Sequence, residues 1–338
     1  MSGVRNEAVE DGDDDQRLDR WLRSRFPALK QGKLQKLLRT GQVRVDGARA
    51  KANDRVSTGQ TIRIPPNINE ETPRSQAAIV GGMDIEQAGR LGDELKERII
   101  YIDDEMIAIN KPPGLAVQGG SKTETHVDGA LDRLRMGSKE RPRLVHRLDK
   151  DTSGVLVLAR TRKSAAKLAK AFQMRETRKI YWAVVIGKPP HEGGNIDAPL
   201  AKHPGARGEM VQVDEDQGKS ARSRFRIIDN AGKSMSWLEL EPLTGRTHQL
   251  RVHCQLMGNP ILGDGKYGSI ETHNDEYEGS VFEVGIERRL HLHARSLHIP
   301  RQGKKMIEIT APLPKHMLDT WRTLGFDPDD EQAQPFDL

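Results

Sequence analysis

His146-Arg147-Leu148-Asp149-Lys150-Asp151-Thr152-Ser153-Gly154 runs directly into Val155-Leu156-Val157-Leu158-Ala159, and this junction decides how the larger part of the chain folds. An unbroken apolar run of five residues bounded by turn formers predicts a buried strand. Thr152, Ser153 and Gly154 read as the turn that feeds it. Asp149 and Arg147 therefore sit on a loop anchored by core, where rigid scaffolds hold reactive groups. Taken alone, an Arg-rich turn also suits a salt-bridged surface loop. The other motifs decide between the two.

Three further blocks carry chemistry-bearing residues. Asn110-Lys111-Pro112-Pro113-Gly114, continuing to Gly120, is a strand entering a Pro/Gly loop, which presents backbone amides and a lysine to a ligand or forms a plain rigid turn. Lys179-Ile180-Tyr181-Trp182 sets a tyrosine between apolar strand residues, the usual place for a core tyrosine. Thr244-Gly245-Arg246-Thr247-His248-Gln249-Leu250-Arg251-Val252-His253 predicts a helix from about Thr247 to Met257, with Arg251 one turn in, facing what Thr247 and His248 face.

The 338 residues allow more than one domain and a substantial core. No stretch approaches the roughly 18 apolar residues of a membrane span, and the acidic N-terminus lacks a secretory layout. A cytoplasmic protein is expected. The single cysteine, Cys254, excludes an internal disulfide and reads as a small core residue. Gly258 and Gly263 have phosphate-loop spacing, but Asp264 follows where lysine is required. His248, His253, His291, His293 and His298 form no recognised metal-ligand spacing, so no metal is expected. Gly-x-Ser-x-Gly is absent, which removes the serine hydrolases.

Charge is blocked along the chain. The net charge is +5, yet residues 1–15 carry six acids and one arginine, whereas residues 16–65 carry thirteen Lys/Arg against three acids. The first segment reads as a disordered acidic tail. The second is a basic module whose natural partner is a polyanion, a solvated basic face being the plainer reading. Leu18, Trp21, Leu22 and Phe26 recur at helical spacing up to Pro27, Leu34, Leu37 and Leu38 mark a second helix, and Val43–Val45 and Thr61–Ile64 alternate as strands around the Asp46-Gly47 turn. Residues 67–96 read as a linker, 97–318 as a larger α+β domain around a mixed, largely antiparallel sheet flanked by helices, and 319–338 as an acidic tail.

The helix, helix, strand, strand order of 16–66, with Arg17-Leu18-Asp19-Arg20-Trp21-Leu22 and Gly41-Gln42-Val43-Arg44-Val45-Asp46-Gly47, resembles the S4 RNA-binding module. The four blocks of the larger domain, in this order behind such a module, resemble the RluA family of pseudouridine synthases. The resemblance implies the pseudouridine synthase fold and isomerisation of selected uridines in 23S rRNA, or in large-subunit assembly intermediates, without cofactor or metal. It implies that Asp149 is the essential carboxylate, Tyr181 the active-site tyrosine and Arg251 the arginine that pairs with the aspartate. Arg147 would hold the flipped-out nucleotide. Lys111, His146 and Arg246, in the same blocks, are read with Arg147 as substrate-binding residues.

The chemistry suits the set. Breaking an N-glycosidic bond and rejoining the base through carbon oxidises nothing, and one ionised carboxylate serves whether it attacks the base or captures the sugar carbon. A nearby arginine keeps that carboxylate charged and oriented. The rival readings are a non-catalytic RNA-binding assembly factor on the same fold and, with least support, a metal-dependent nuclease or hydrolase. No heptad or apolar stripe asks for a partner copy, so a monomer is expected.

Overall fold

The structure, a computed structural model, describes residues 4–26, 29, 31–66, 68, 79–80, 83–119, 123, 125–174, 176–205, 210–268, 285–301 and 304–329. The chain divides into two compact units, Met1–Ala77 and Ala78–Leu338.

In the first unit the elements are β1 (Arg5–Ala8), β2 (Gln16–Arg17), α1 (Leu18–Arg25), α2 (Gln31–Arg39), β3 (Arg44–Val45), β4 (Ala48–Arg49), β5 (Arg55–Val56) and β6 (Thr61–Ile64). Leu18, Trp21 and Leu22 lie on one stripe of α1, and they meet Leu34, Leu37 and Leu38 of α2 over Val43, Ile62 and Ile64 in a single core. The Asp46-Gly47 turn joins β3 to β4, and β3 then pairs with β6 through Val45 opposite Ile62. Residues 4–15 of the acidic segment depart from the expected disorder. β1 adds to the free edge of β6, with Glu7 opposite Ile62, and Val9 becomes buried. Its acids also have partners: Asp13 accepts from the Trp21 indole N–H at 3.1 Å and from Arg25 at 2.7 Å. Charge content alone could not reveal a strand whose stability comes from a partner fifty residues away.

The second unit contains β7 (Ile79–Val80), β8 (Met83–Asp84), α3 (Ile85–Lys96), β9 (Ile99–Ile102), β10 (Met106–Lys111), α4 (Val127–Ala130), β11 (Arg143–Leu144), β12 (Ser153–Ala159), α5 (Arg162–Gln173) and β13 (Arg178–Ile186). It continues with β14 (Gly193–Asp197), β15 (Leu200–His203), β16 (Met210–Val213), β17 (Arg222–Ala231), β18 (Met235–Pro242), α6 (Gln249–Leu256), β19 (Leu292–Arg301), β20 (Lys304–Thr310) and α7 (Lys315–Leu324). The main sheet runs β14-β17-β18-β13-β19-β12-β10-β9, with β11 on β12 and β20 on β19. Its pairings are antiparallel except β12 with β19, so the expected mixed, largely antiparallel sheet is what forms.

Helices cover both faces. Leu156 and Leu158 of β12 pack with Leu91 and Leu95 of α3, while Val155 and Val157 face Leu168 of α5. This explains why the strand reads as continuously apolar. On the other half, Trp182 and Trp237 pack on Met317 and Trp321 of α7, and Val185 and Leu238 pack on Leu250 and Cys254 of α6. Cys254 is a buried free thiol, as its apolar setting suggested.

Two boundaries move. Within the expected linker 67–96, α3 is a capped helix, Asp84 accepting from the Glu86 N–H at 2.9 Å, and it belongs to the core; residues 67, 69–78 and 81–82 of that stretch lie outside the described residues. The expected tail from 319 begins inside α7, which buries Trp321.

Two of the histidines weighed as ligands, His291 and His293, are structural pins. His293 Nδ1 bonds the Ser153 hydroxyl at 2.8 Å and His291 Nε2 bonds Thr320 at 2.8 Å. Among the described residues no cluster of three or more His, Cys, Asp or Glu could hold a metal. Burial pushes His293 down to about 3 and His291 to about 4. Because both bind protons more readily when unfolded, stability rises with pH between those values and the ordinary 6.5 and is lost as pH falls through that window. Guanidinium melts should therefore show a loss of roughly 1.4 kcal/mol per pH unit for each buried histidine on going from pH 6.5 to 4.5, and His293→Gln should flatten that slope.

Candidate active site

Asp149 stands on the loop between β11 and β12, fixed on both sides. Upstream, His146 Nε2 accepts the Val157 N–H at 2.8 Å and its ring stacks on Phe172 with centroids 4.4 Å apart. Leu148 is buried in the core. Downstream, Lys111 Nζ donates to the Lys150 carbonyl at 2.9 Å, and also to those of Pro112 at 2.9 Å and Leu115 at 2.8 Å. The Asp149 side chain is 20% exposed and opens onto a cavity of about 910 Å³.

The structure brings Asp149, Tyr181, Arg251, Arg147, Arg246 and His146 to the wall of this cavity and leaves Lys111 out of it. Lys111 was expected to meet substrate, yet it is fully buried and its three donors serve three carbonyls. Burial pushes its ammonium down to about 7, against the charges of Asp151 and Asp149. It ties two loops together instead. His146 lines the cavity, but its ring is committed to β12 and Phe172, and burial, with the Lys179 charge, pushes it down to about 3. It shapes the site as a neutral ring.

Arg251, expected to pair with Asp149, does so only loosely. Its Nη1 lies 3.9 Å from Asp149 Oδ2, while Nε and Nη2 grip Asp264 at 2.7 and 2.6 Å. Asp264 Oδ1 also accepts the N–H groups of Lys266 at 2.9 Å and Tyr267 at 3.0 Å. The Arg251 guanidinium lies 5.0 Å over the Tyr267 ring. A bidentate carboxylate thus orients the cation and absorbs most of its charge. Asp149 keeps a partner without being clamped, and it makes no hydrogen bond of its own among the described residues.

Tyr181 lies mid-sheet, opposite Leu240 of β18 and Ala294 of β19, with its ring against both flanking cores. Burial and the Asp149 charge push its phenol above the ordinary value, so it stays protonated at neutral pH. Arg147 and Arg246 are exposed at the mouth. Arg246 Nε donates to the Ser220 carbonyl at 3.1 Å, while Arg147 has neither hydrogen bond nor ion pair among the described residues. Deeper along the wall, Glu241 accepts from Arg178 at 2.9 Å and from Arg224 at 2.5 Å.

Sequence reasoning missed three members of this site. Asp264 drew notice only as the residue that spoiled a phosphate loop, and His248 only as an unconvincing metal ligand. Tyr267 drew none. Their shared signal is spatial: Asp264 and Tyr267 follow α6 in a loop that folds back over Arg251, and no local pattern marks that return. Chemically, the cavity offers the partly exposed Asp149 carboxylate, a pre-bound cation beside it, a protonated phenol and a basic mouth, a set suited to nucleophilic or acid-base work on an anionic ligand.

Residues 105–256 match the sequence profile of the family described as RNA pseudouridylate synthase, and residues 16–62 match that of the S4 domain. Ribosomal large subunit pseudouridine synthase C of Rickettsia typhi is 36% identical over 300 residues, which span 88% of this chain and 94% of that protein. The protein of the same name from Vibrio cholerae is 34% identical over 306 residues, 89% of this chain and 91% of the relative. Human RNA Pseudouridylate Synthase Domain Containing 4, a solved structure, aligns at a TM-score of 0.60 and 28% identity, over 71% of this chain and 97% of that one.

The geometry separates the two carboxylates by stability. Asp264→Ala strands a buried guanidinium and should cost about 3–5 kcal/mol in guanidinium unfolding. Asp149→Ala, at a partly exposed position, should cost less than about 1 kcal/mol.

Proposed function

Since this chain belongs to the RNA pseudouridylate synthase family, we propose that it converts selected uridines of 23S rRNA, or of large-subunit assembly intermediates, to pseudouridine, with Asp149 as the attacking group. The observation that carries the reading is the state of Asp149: a carboxylate on the wall of a nucleotide-sized cavity, 3.9 Å from an arginine that Asp264 already holds. An arginine bound to two carboxylates steers the second without quenching it. Positioning is its main contribution.

In this reading the uridine leaves its stack and enters the cavity. The N1–C1′ bond breaks, the uracil turns, and the C5–C1′ bond forms. One proton leaves C5 and one joins N1, so nothing is consumed. Asp149 adds to the base or captures C1′. Tyr181 abuts the base as a protonated phenol, and Arg147, free at the mouth among the described residues, fills the gap left in the RNA or meets its phosphates. Arg246 lies beside that path. No helix among the described residues is long and apolar enough to cross a membrane. In this reading the enzyme works in the cytoplasm as a monomer.

The first unit supplies sequence-independent affinity. Arg20 and Arg23 of α1 and Lys36 and Arg39 of α2 are exposed and without ion partners among the described residues. Such cations exchange counterions for phosphates.

Two measurements test this. Tritium release from C5-labelled uridine in 23S rRNA transcripts should proceed with wild type in the presence of chelator and fall to background in Asp149→Asn, with RNA affinity kept within about threefold. Binding by the wild type without release would instead favour an RNA-binding assembly factor. Replacing Arg20, Arg23, Lys36 and Arg39 together by Gln should weaken RNA binding and flatten the dependence of log K on log salt by up to about 0.7 for each phosphate no longer neutralised.

A further inference from the structure

His248 occupies an uncommon backbone position. It is the cap residue of α6, yet its backbone is left-handed at φ 54° and ψ 17°, and its side chain makes no capping hydrogen bond. Ser, Thr, Asp or Asn would cap better. Left-handed backbone is uncommon outside glycine, although Asn, Asp and His adopt it more readily than other residues; it costs energy, and such strain concentrates at functional sites. What the strained turn achieves is a placement: the imidazole lies on the cavity wall with Asp149, Tyr181 and Arg251.

Hydrogen-bond accounting fixes which tautomer it holds. His248 Nδ1 lies 2.8 Å from the Tyr267 hydroxyl, which also accepts the Val211 N–H at 3.0 Å. Tyr267 is buried and has no other hydrogen-bond acceptor for its O–H among the described residues. If His248 donated to Tyr267, that buried hydroxyl hydrogen would be stranded with its desolvation uncompensated. The satisfied arrangement has Tyr267 donating to Nδ1, which leaves the hydrogen of the neutral ring on Nε2. That nitrogen has no partner among the described residues and is not sealed from the cavity. Burial, joined by the charges of Arg251 and Lys266, holds the imidazole below its ordinary value against the pull of Asp149 and Asp264.

We infer that His248 is a catalytic residue that donates a hydrogen bond from Nε2–H to a carbonyl oxygen of the uracil, O2 or O4, and stabilises the charge that reaches it as the glycosidic bond breaks. The inference rests on the uridine-isomerising reading of the same site. When N1–C1′ breaks, its electron pair passes to the uracil and spreads over N1, O2 and O4. It returns to the sugar as C5–C1′ forms, and the C5 proton is replaced by one on N1. A fixed neutral donor lowers the energy of the detached base without transferring its own proton, as oxyanion holes do for acyl groups. An imidazolium would be less suitable, because it would pair with Asp149.

The test uses the full-length enzyme in single-turnover assays on an RNA fragment carrying the target uridine, 2-thiouridine or 4-thiouridine, with nucleosides separated by chromatography. Sulfur accepts hydrogen bonds poorly. His248→Asn keeps a residue that tolerates the left-handed turn and can still meet Tyr267, but it does not reach as far as Nε2. It should slow uridine conversion about 100-fold with RNA affinity changed by less than about twofold, and His248→Gln, whose amide reaches further, should recover to within about tenfold of wild type. One thio substitution should slow wild type by about tenfold and His248→Asn by less than about twofold. Tyr267→Phe, which releases the tautomer, gives the second reading and should lose part of the sulfur penalty. Wild-type rates in both variants, or an unchanged sulfur penalty in every variant that folds, would overturn the assignment. A wild type that converts no uridine would overturn the functional reading beneath it.

Discussion

The site depends on one close approach between strands. His293 and Ala294 of β19 pair on one side with Ser153 and Gly154 of β12 and on the other with Trp182 and Tyr181 of β13, so two adjacent residues join the half of the sheet that carries the Asp149 loop to the half that carries Tyr181 and α6. Any side chain at 154 would collide, since a Cβ there would lie 2.2 Å from the Ala294 carbonyl oxygen, and the backbone adopts φ 111°. Glycine is required for the parallel pairing, and the pairing sets the separation of the Asp149 loop from Tyr181. The Ser153 to His293 hydrogen bond locks the same junction from the side.

On that frame the charges are arranged so that burial does not consume them. Arg251 is nearly sealed from water, and a lone guanidinium there would face a desolvation cost of several kcal/mol. Were Asp149 its only partner, the pair would close into a static salt bridge and the carboxylate would lose its reactivity. Asp264, itself inaccessible, takes the bidentate role, and its remaining lone pairs are filled by backbone N–H groups. The cation is satisfied before Asp149 is counted. The same logic governs Lys111, whose three carbonyl partners turn a buried ammonium into a brace beneath the Asp149 loop.

What could be read from the sequence follows from how local each cause is. The strand at 155–159 announces itself because both its faces are covered, and α1 and α2 do so because their apolar residues fall at helical spacing. Asp149, Tyr181, Arg147 and Arg251 stood out through their motifs, and the structure gathers them at one cavity. α3 was hidden by its composition. Gly89 and Gly92 make the segment look like a linker, yet Gly92 is there because a Cβ would lie 2.3 Å from the Arg133 side chain. The glycine that weakens the helix permits its packing, and only the packed partner reveals why. Lys111 was misread and Asp264 passed over for the same reason: their roles are set by the Lys150 carbonyl and by Arg251, distant in sequence.

The contrast between fixed and free groups bears on how an isomerase of this kind works under the proposed chemistry. A detached uracil has to turn so that C5 replaces N1 opposite the sugar, and that motion needs space and walls that do not follow it. The cavity of about 910 Å³ provides the space. Four parts of the walls are held from behind: Arg251 by Asp264, His248 by Tyr267, His146 by β12 and the Asp149 loop by Lys111. At the mouth, Arg147 stands without a hydrogen-bond or ion partner among the described residues. Donors that stay in place while the base rotates stabilise both the breaking and the forming bond, because charge returns to the same oxygens in each step. Preorganisation of this kind allows one carboxylate to serve a reaction that starts and ends at the same carbon.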